Sequence, residues 1–440
     1  MGRRFITTII CVGIFSASAV VPAAGQSSLP GGLGEWGSSS NSRATDNKGK
    51  ISEGVNTTQV GDILGPGISD HVGVLTGDLG IMLPIGETGE FAIIFGDSFR
   101  GSRFGEGEWM SPAGVVATMG PDGKIVVKRP LNDGDKVEQL IDYAHNERKQ
   151  TLIPSDVIDI DGVLYMQGMW NEGIGNVLFT QIWKSQDLGK TWQSVATTPA
   201  NYLGGSGNLI TWEKGSDGFV YVMSSKFNRA DKVYLSRFRP VDIVDRNRWE
   251  HYHPANGVWQ SGTAAPIISN QLKAGEMSLR FIEGYWVLCM FNEQTAAIEV
   301  HISDRIDRNW DEITPARVVV AGNGGWGAKQ GADNFTQLYG GYIAPSSTIA
   351  DMNIVVSQWN TKNNSRYMST QFNVKGLDKF FGIGTQPERR TMLRSVPVPQ
   401  VGNNDVIVVE QTEVDPAVAA QLEVEQAAEA SAQIQVVPMG

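Results

Sequence analysis

The chain has 440 residues, 41% hydrophobic and 19% charged, which is room for one large domain or two ordinary ones and excludes a fibrous or wholly disordered polypeptide. The formal net charge is -11, and Val401 to Gly440 adds seven acids with no Lys or Arg, so a nucleic-acid partner is not expected. Fifty-one Gly and twelve Trp suit a β-rich fold with many tight turns.

Arg3 and Arg4 precede an apolar run from Phe5 to Val21, and Ala23, Ala24 and Gly25 follow. A basic head, an apolar core and small residues make a secretory signal peptide. Residues 1–25 are expected to be removed near Ala24 and the protein to be exported to the cell envelope or beyond. No later run approaches the ~20 apolar residues of a membrane span. Cys11 leaves with the signal, so the mature chain keeps Cys289 alone, in "YWVLCM", read as a buried core residue. Residues 26–50 are rich in Ser and Gly and read as a flexible leader. Residues 385–440 read as a low-complexity acidic tail, mostly disordered, with room for a short helix at Ala419–Ala432.

Residues 51–384 alternate short β-prone runs with turns. "EFAIIFGDSF", "VIDIDGVLYMQGMW", "FVYVMSSKF" and "NIVVSQWN" are strands; "PDGK", "GSDG" and "IEGY" are turns. Few segments repeat with a helical period, so the expected class is all-β: sandwich, barrel or propeller. "SQDLGKTW", Ser185 to Trp192, fits the Asp-box Ser-x-Asp-x-Gly-x-Thr-Trp. In this hairpin turn the Asp accepts turn amides, the Gly takes a tight conformation and the Trp plugs between strands. Asp187 is therefore structural. The box selects a propeller, and at ~40–50 residues per blade the length suits five blades.

Asp78 in "TGDLG" and Asp97 in "FGDSF" each follow an apolar segment and lie beside glycine. Facing carboxylates suit glycosidic-bond hydrolysis, where one protonates the leaving oxygen and the other activates water or attacks the anomeric carbon. Gly77, Gly80 and Gly96 are expected to admit a bulky substrate. Turn capping is the structural alternative.

The stretch from about Asp62 to Phe381 resembles an exported family long catalogued as a domain of unknown function and associated with endo-D-arabinofuranosidase (endo-D-arabinanase) activity on the cell-wall D-arabinan of mycolate-bearing bacteria. The resemblance rests on "TGDLGIM", "FGDSF", "TLIPSDVI", the Asp-box, "VYLSRFRP", "GEMSLRF", "LYGGYIAPSS" and "VSQWN", in that order. It implies a five-bladed β-propeller, catalytic carboxylates at Asp78 and Asp97, and inversion at the anomeric carbon. The roles expected are Asp78 as general base and Asp97 as general acid, with exchange left open. The sequence departs from the family at "IPSDVI", which carries Asp156 where glycine is usual, and at "MQGMWNEGIGN"; both bear on substrate length or linkage.

Glu276 is the third carboxylate candidate, with pairing to Arg280 as its structural alternative; Arg280 could also hold a substrate hydroxyl. Trp170, Trp326, Tyr342 and Trp359 lie in glycine-rich or strand-end settings and are candidates for stacking on sugar rings, with core packing as the alternative. His251 and His253 share a strand face but make no metal spacing, and His71 and His145 could line a cleft, though an ordinary surface or core histidine is the preferred reading for each. No metal and no cofactor is expected, and the partner expected is cell-wall D-arabinan. Two rival readings are a non-catalytic wall-binding propeller and a sialidase-like exo-glycosidase.

Overall fold

The computed structural model describes residues 49–384, apart from 87, 88, 174 and 323, and the backbone of 405–408 and 435–438. The expected signal peptide, most of the expected leader and the expected tail helix lie outside the described residues.

Five antiparallel sheets follow one another along the chain. β1 (Asn56–Asp62) is set aside for the last of them. Blade 1 contains β2 (Thr76–Pro84), β3 (Glu90–Phe99), β4 (Trp109–Met110), β5 (Ala113–Met119) and β6 (Ile125–Pro130). Blade 2 contains β7 (Gln150–Ile160), β8 (Val163–Glu172), β9 (Val177–Ser185) and β10 (Gln193–Pro199). Blade 3 contains β11 (Leu209–Lys214), β12 (Val220–Ser225), β13 (Val233–Phe238), β14 (Glu250–His253), β15 (Val258–Gln260) and β16 (Pro266–Ile268). Blade 4 contains β17 (Ala274–Ile282), β18 (Tyr285–Asn292), β19 (Ala297–Ser303) and β20 (Ala316–Val320). Blade 5 contains β21 (Leu338–Ile343), β22 (Asp351–Trp359) and β23 (Tyr367–Lys375), and β1 pairs with β23 as its outermost strand. The first innermost strands touch the last: β2, β7, β11, β17 and β21 contact one another in that cyclic order. This is the five-bladed β-propeller expected, closed by β1, which supplies the outermost strand of the last blade and so ties the start of the described fold to its end. The described residues hold one short α-helix, α1 (Leu377–Phe380), after the last blade, and one further ladder, β24 (Asp405–Val408) on β25 (Gln435–Pro438), in the segment expected to be mostly disordered.

Strands inside the blades are buried on both faces because each blade is covered by its neighbours. β19 and β21 are buried along their whole length. Cys289 is fully buried in β18 and is a core residue, as expected. Gly341 approaches it so closely that a Cβ there would lie 3.2 Å from the Cys289 Sγ. The Asp-box forms the β9–β10 hairpin as expected. Asp187 Oδ1 accepts from Thr191 N at 3.0 Å and Oδ2 from Thr191 Oγ1 at 2.6 Å, Gly189 has φ +91°, and Trp192 Nε1 donates to Gly189 O at 2.9 Å.

Candidate active site

Asp78 is the third residue of β2, and Asp97 is near the end of its antiparallel partner β3, so both lie at one end of blade 1. The pairing slips between Gly77 and Leu79, so that Gly77 faces Ser98 while Leu79 faces Phe95. Asp78 lies opposite this bulge, in which Gly96 and Asp97 of β3 face one residue of β2, and Leu79 takes φ +62°. Buried hydroxyls of blade 5 hold the strained segment: Ser357 Oγ accepts from Leu79 N at 2.8 Å, and Ser369 Oγ donates to the carbonyls of Gly77 and Leu79 at 3.1 and 2.9 Å. A Cβ on Gly96 would lie 2.6 Å from Asp78 Oδ1, and one on Gly80 would lie 2.9 Å from Val355. The glycines therefore admit the protein's own side chains, including the Asp78 carboxyl, where the sequence suggested room for substrate.

Asp78 is 9% exposed. Its Oδ2 accepts from the Tyr339 hydroxyl at 2.8 Å, while its Oδ1 is buried without a hydrogen-bond partner. Burial raises the carboxyl from the usual range to about 7, with the Asp97 charge adding to the rise; the Tyr367 and Tyr339 hydroxyls oppose it and Glu276 adds a smaller push upward. Burial raises Asp97 too, but here donors pull the other way. Asp97 Oδ1 accepts from Trp109 Nε1 at 2.8 Å and from Thr151 Oγ1 at 2.9 Å, and the His145 charge also favours the carboxylate. His145 stacks on Trp109, ring centroids 3.5 Å apart and planes 5° from parallel, beside Asp97.

Glu276, near the start of β17, does not pair with Arg280. Four residues of strand span ~13 Å, so two side chains on one face cannot meet as they would one turn apart on a helix. Glu276 instead bonds Arg229, from the loop before β13, at 2.6 Å in a pair 7% and 4% exposed. The Arg229 guanidinium lies 4.7 Å from the centroid of the Tyr339 ring. The chain of contacts runs from Glu276 through Arg229 and Tyr339 to Asp78.

Arg280 belongs to a second cluster further along the channel. It crosses from blade 4 to Asp156 of blade 2, with its two terminal nitrogens 3.2 Å from the two carboxylate oxygens, and donates to Met82 O of blade 1 at 3.1 Å. Asp156 also accepts from Thr211 Oγ1 at 2.6 Å and Trp212 N at 3.1 Å. These partners make Asp156 and Arg280 a structural tie between blades, where the sequence suggested substrate contact. Tyr342 is 1% exposed and feels the charges of Glu276, Asp78 and Asp156, so it fills the channel between the clusters instead of offering a face to sugar.

The remaining aromatic candidates divide. Trp359 is 7% exposed, stacked on Phe104 at 4.8 Å and edge-on to Tyr367, which makes it a wall residue and not a free platform. Trp170 bonds Gln181 at 2.7 Å and meets Tyr143, whose ring in turn contacts His145, so it buttresses the Asp97 side. Trp326 is half-buried and lines a cavity on blade 5. His251 is held by Ser236 Oγ at 2.7 Å and His253 Nε2 lies 2.9 Å from Thr263 O. Among the described residues no group of three or more His, Cys, Asp or Glu side chains is placed to hold a metal ion.

Sequence reasoning missed Tyr339, Tyr367, Trp109, Thr151 and Arg229. Tyr339 was in view within "LYGGYIAP", but its neighbour Tyr342 was chosen. The slip in β21–β22 pairing between Tyr339 and Tyr342, with Gly340 at φ +75°, sets the two tyrosines at different depths and gives only Tyr339 to Asp78.

The fold and the carboxylates define a five-bladed propeller with an acidic site where its innermost strands begin. Residues 65–373 match the DUF4185 family, described as a domain of unknown function, and the chain belongs to that family. A Mycolicibacterium smegmatis relative, described as an uncharacterized 35.9 kDa protein in the asd 3' region, is 27% identical over 317 residues, 67% of this chain and 92% of the relative. A Bacteroides ovatus structure described as that of a candidate hydrolase is similar with a TM-score of 0.52 at 14% identity, over 73% of this chain and 90% of that one. At that identity the likeness concerns the fold.

Proposed function

We propose that the protein is an exported glycoside hydrolase that cleaves internal α-D-arabinofuranosyl linkages of cell-wall D-arabinan. One observation carries the reading: two carboxyl groups share one end of blade 1, both raised by burial, but only Asp97 is held by several donors that oppose the rise while Asp78 keeps an oxygen with no hydrogen bond. Asp78 is buried, raised to about 7 and left with an unpartnered oxygen. Asp97 is half-buried and held by two donors that favour its charge. Such a pair provides an acid and a base near neutral pH.

These surroundings favour the reverse of the roles expected from sequence. Asp78 carries the proton and delivers it to the leaving glycosidic oxygen. Asp97, ionised, takes a proton from the water that attacks the anomeric carbon, through an oxocarbenium-like transition state. Tyr339 and Tyr367 keep Asp78 oriented, and Trp109 and Thr151 do the same for Asp97. Inversion and the D-arabinan substrate rest on the sequence resemblance, and export rests on the N-terminal signal pattern. A purely binding propeller does not need a buried acid without a counter-ion. Arg229 and Arg280 are each engaged by a carboxylate of the protein, which leaves a sialidase-like grip on an anionic sugar without support.

The test is product analysis of purified D-arabinan incubated with the parent protein, Asp78→Asn and Asp97→Asn. Short oligosaccharides from the parent alone are expected. An intact polymer that still binds the folded parent would leave the wall-binding reading in its place.

A further inference from the structure

Beside the β22–β23 hairpin, in blade 5, lies a cavity of about 390 Å³ lined by Gln59, Asp62, Trp326, Gln330, Gln358 and Arg366. Its floor is built in advance. Arg366 grips Asp62 with two bonds of 2.7 Å and donates to Gln358 Oε1 at 2.8 Å. Gln358 donates to Gln330 Oε1 at 2.8 Å, and Gln330 Oε1 also accepts from Thr336 N at 2.8 Å. Thr370 Oγ1 fixes Asp62 from beneath at 2.7 Å. Asp62 and Arg366 cancel in charge, so the floor discriminates against ions, while Asp62 Oδ2, which accepts only from Arg366, keeps a lone pair to accept from a hydroxyl. Trp326, half-buried on a short turn of 3-10 helix, supplies the apolar wall. The volume is at the small end of ligand sites. A neutral ring with an apolar face and several hydroxyls matches every wall.

The cavity is a neighbour of the acidic site. Arg366 precedes Tyr367, whose hydroxyl favours the ionised form of Asp78, and Gln358 precedes Trp359 in the Phe104–Tyr367 wall. Successive strand residues point to opposite faces, so the hairpin carries the two sites on its two sides.

We propose that this cavity is an outlying subsite that holds a neutral sugar unit of the polymer while another unit lies at Asp78 and Asp97. The proposal rests on the glycoside hydrolase reading and adds a preference for long chains. Polymer binding is measured by affinity electrophoresis of the full chain in soluble D-arabinan, in an Asp97→Asn background so that the gel is not digested. Trp326→Ala is expected to weaken retardation at least fivefold, and Trp326→Phe, which keeps a ring, to restore most of it. In the active chain, Trp326→Ala is expected to raise KM for the polymer at least fivefold more than for the shortest arabino-oligosaccharide that the parent cleaves, which is too short to span both sites. Equal retardation of the two Trp326 variants and the Asp97→Asn protein, or equal effects on long and short substrates, would overturn the subsite. If the active chain leaves arabinan intact but Trp326→Ala still reduces binding to it, the hydrolase reading fails and the sugar site stands.

Discussion

Asp156 and Asp78 are both carboxylates on innermost strands, nearly closed to solvent, and they differ in what surrounds them. Asp156 meets the Arg280 guanidinium with both oxygens and gains two further donors from blade 3. Asp78 meets a tyrosine hydroxyl on one oxygen, no hydrogen-bond partner on the other, and the charges of Asp97 and Glu276. The first cluster is arranged as a buried charge must be if it serves stability. The second leaves a buried carboxyl raised to about 7 without a counter-ion, which on the proposed reading holds the proton for the reaction. Position in the channel does not separate the two clusters; the counter-charge does.

The largest expected effect tests the site at the channel mouth. Asp97→Asn and Asp78→Asn should each slow arabinan hydrolysis by about 10²–10⁴, the usual range for a lost general acid or base, with polymer binding retained. Initial rates of reducing-end release measure it. If Asp156→Asn lowered the rate as far as either while the fold stayed intact, the division between the clusters would be wrong.

Next comes the inner cluster. Asp156→Asn leaves Arg280, 16% exposed, without its counter-ion and should destabilise the fold by about 3 kcal/mol, at the lower end for a broken buried pair. Urea unfolding measures it. Removing both charges, as Asp156→Asn with Arg280→Met, should cost less than the two single changes added together. Strict additivity would mean that the pair does not act as a unit.

Asp78→Asn should move stability in the opposite direction. The native carboxyl titrates near 7 and the unfolded one near its ordinary 3.8, so between these values the native state holds more protons. Stability from this group is present at low pH and is lost as pH rises toward 7. Above pH 7 the folded chain holds a buried anion at a cost on the order of 4 kcal/mol, and Asn removes much of that. A higher Tm for Asp78→Asn at pH 8, shrinking toward pH 4, is the expected pattern. Hydrolysis by the parent should fall as pH rises through about 7, when Asp78 loses its proton. An alkaline limb that persisted with Asp78 replaced would assign the acid elsewhere.

How much of this could be read from the sequence follows from how far apart the partners lie. Asp78, Asp97 and the Asp-box announce themselves because their glycines are neighbours in the chain. The five blades followed from strand rhythm, length and the Asp-box. What decides the roles of the acids comes from other blades: Tyr339 lies 261 residues from Asp78, and Arg280 lies 124 from Asp156. No local pattern marks such pairs. Glu276 shows the cost of local reasoning, since a spacing of four suggests a partner only if the segment is helical. Trp359 and Tyr342 were visible as aromatics, but their burial by Phe104 and by the channel was not.

The smallest effect extends the comparison to a surface acid. Asp187 accepts from Thr191 N, Thr191 Oγ1 and Ser185 Oγ in the β9–β10 hairpin. Its donors are neighbours in one turn and water competes for them, so Asp187→Ala should destabilise by about 1 kcal/mol, the net value of an ordinary hydrogen bond. Ser185 Oγ still accepts from Gly189 N at 2.9 Å, which keeps the turn closed. Calorimetry should show a slightly lower Tm with hydrolysis unaffected at 25 °C. A large fall in rate without unfolding would mean that the hairpin reaches the substrate, and the Asp-box would have to be counted with Asp78 and not with Asp156.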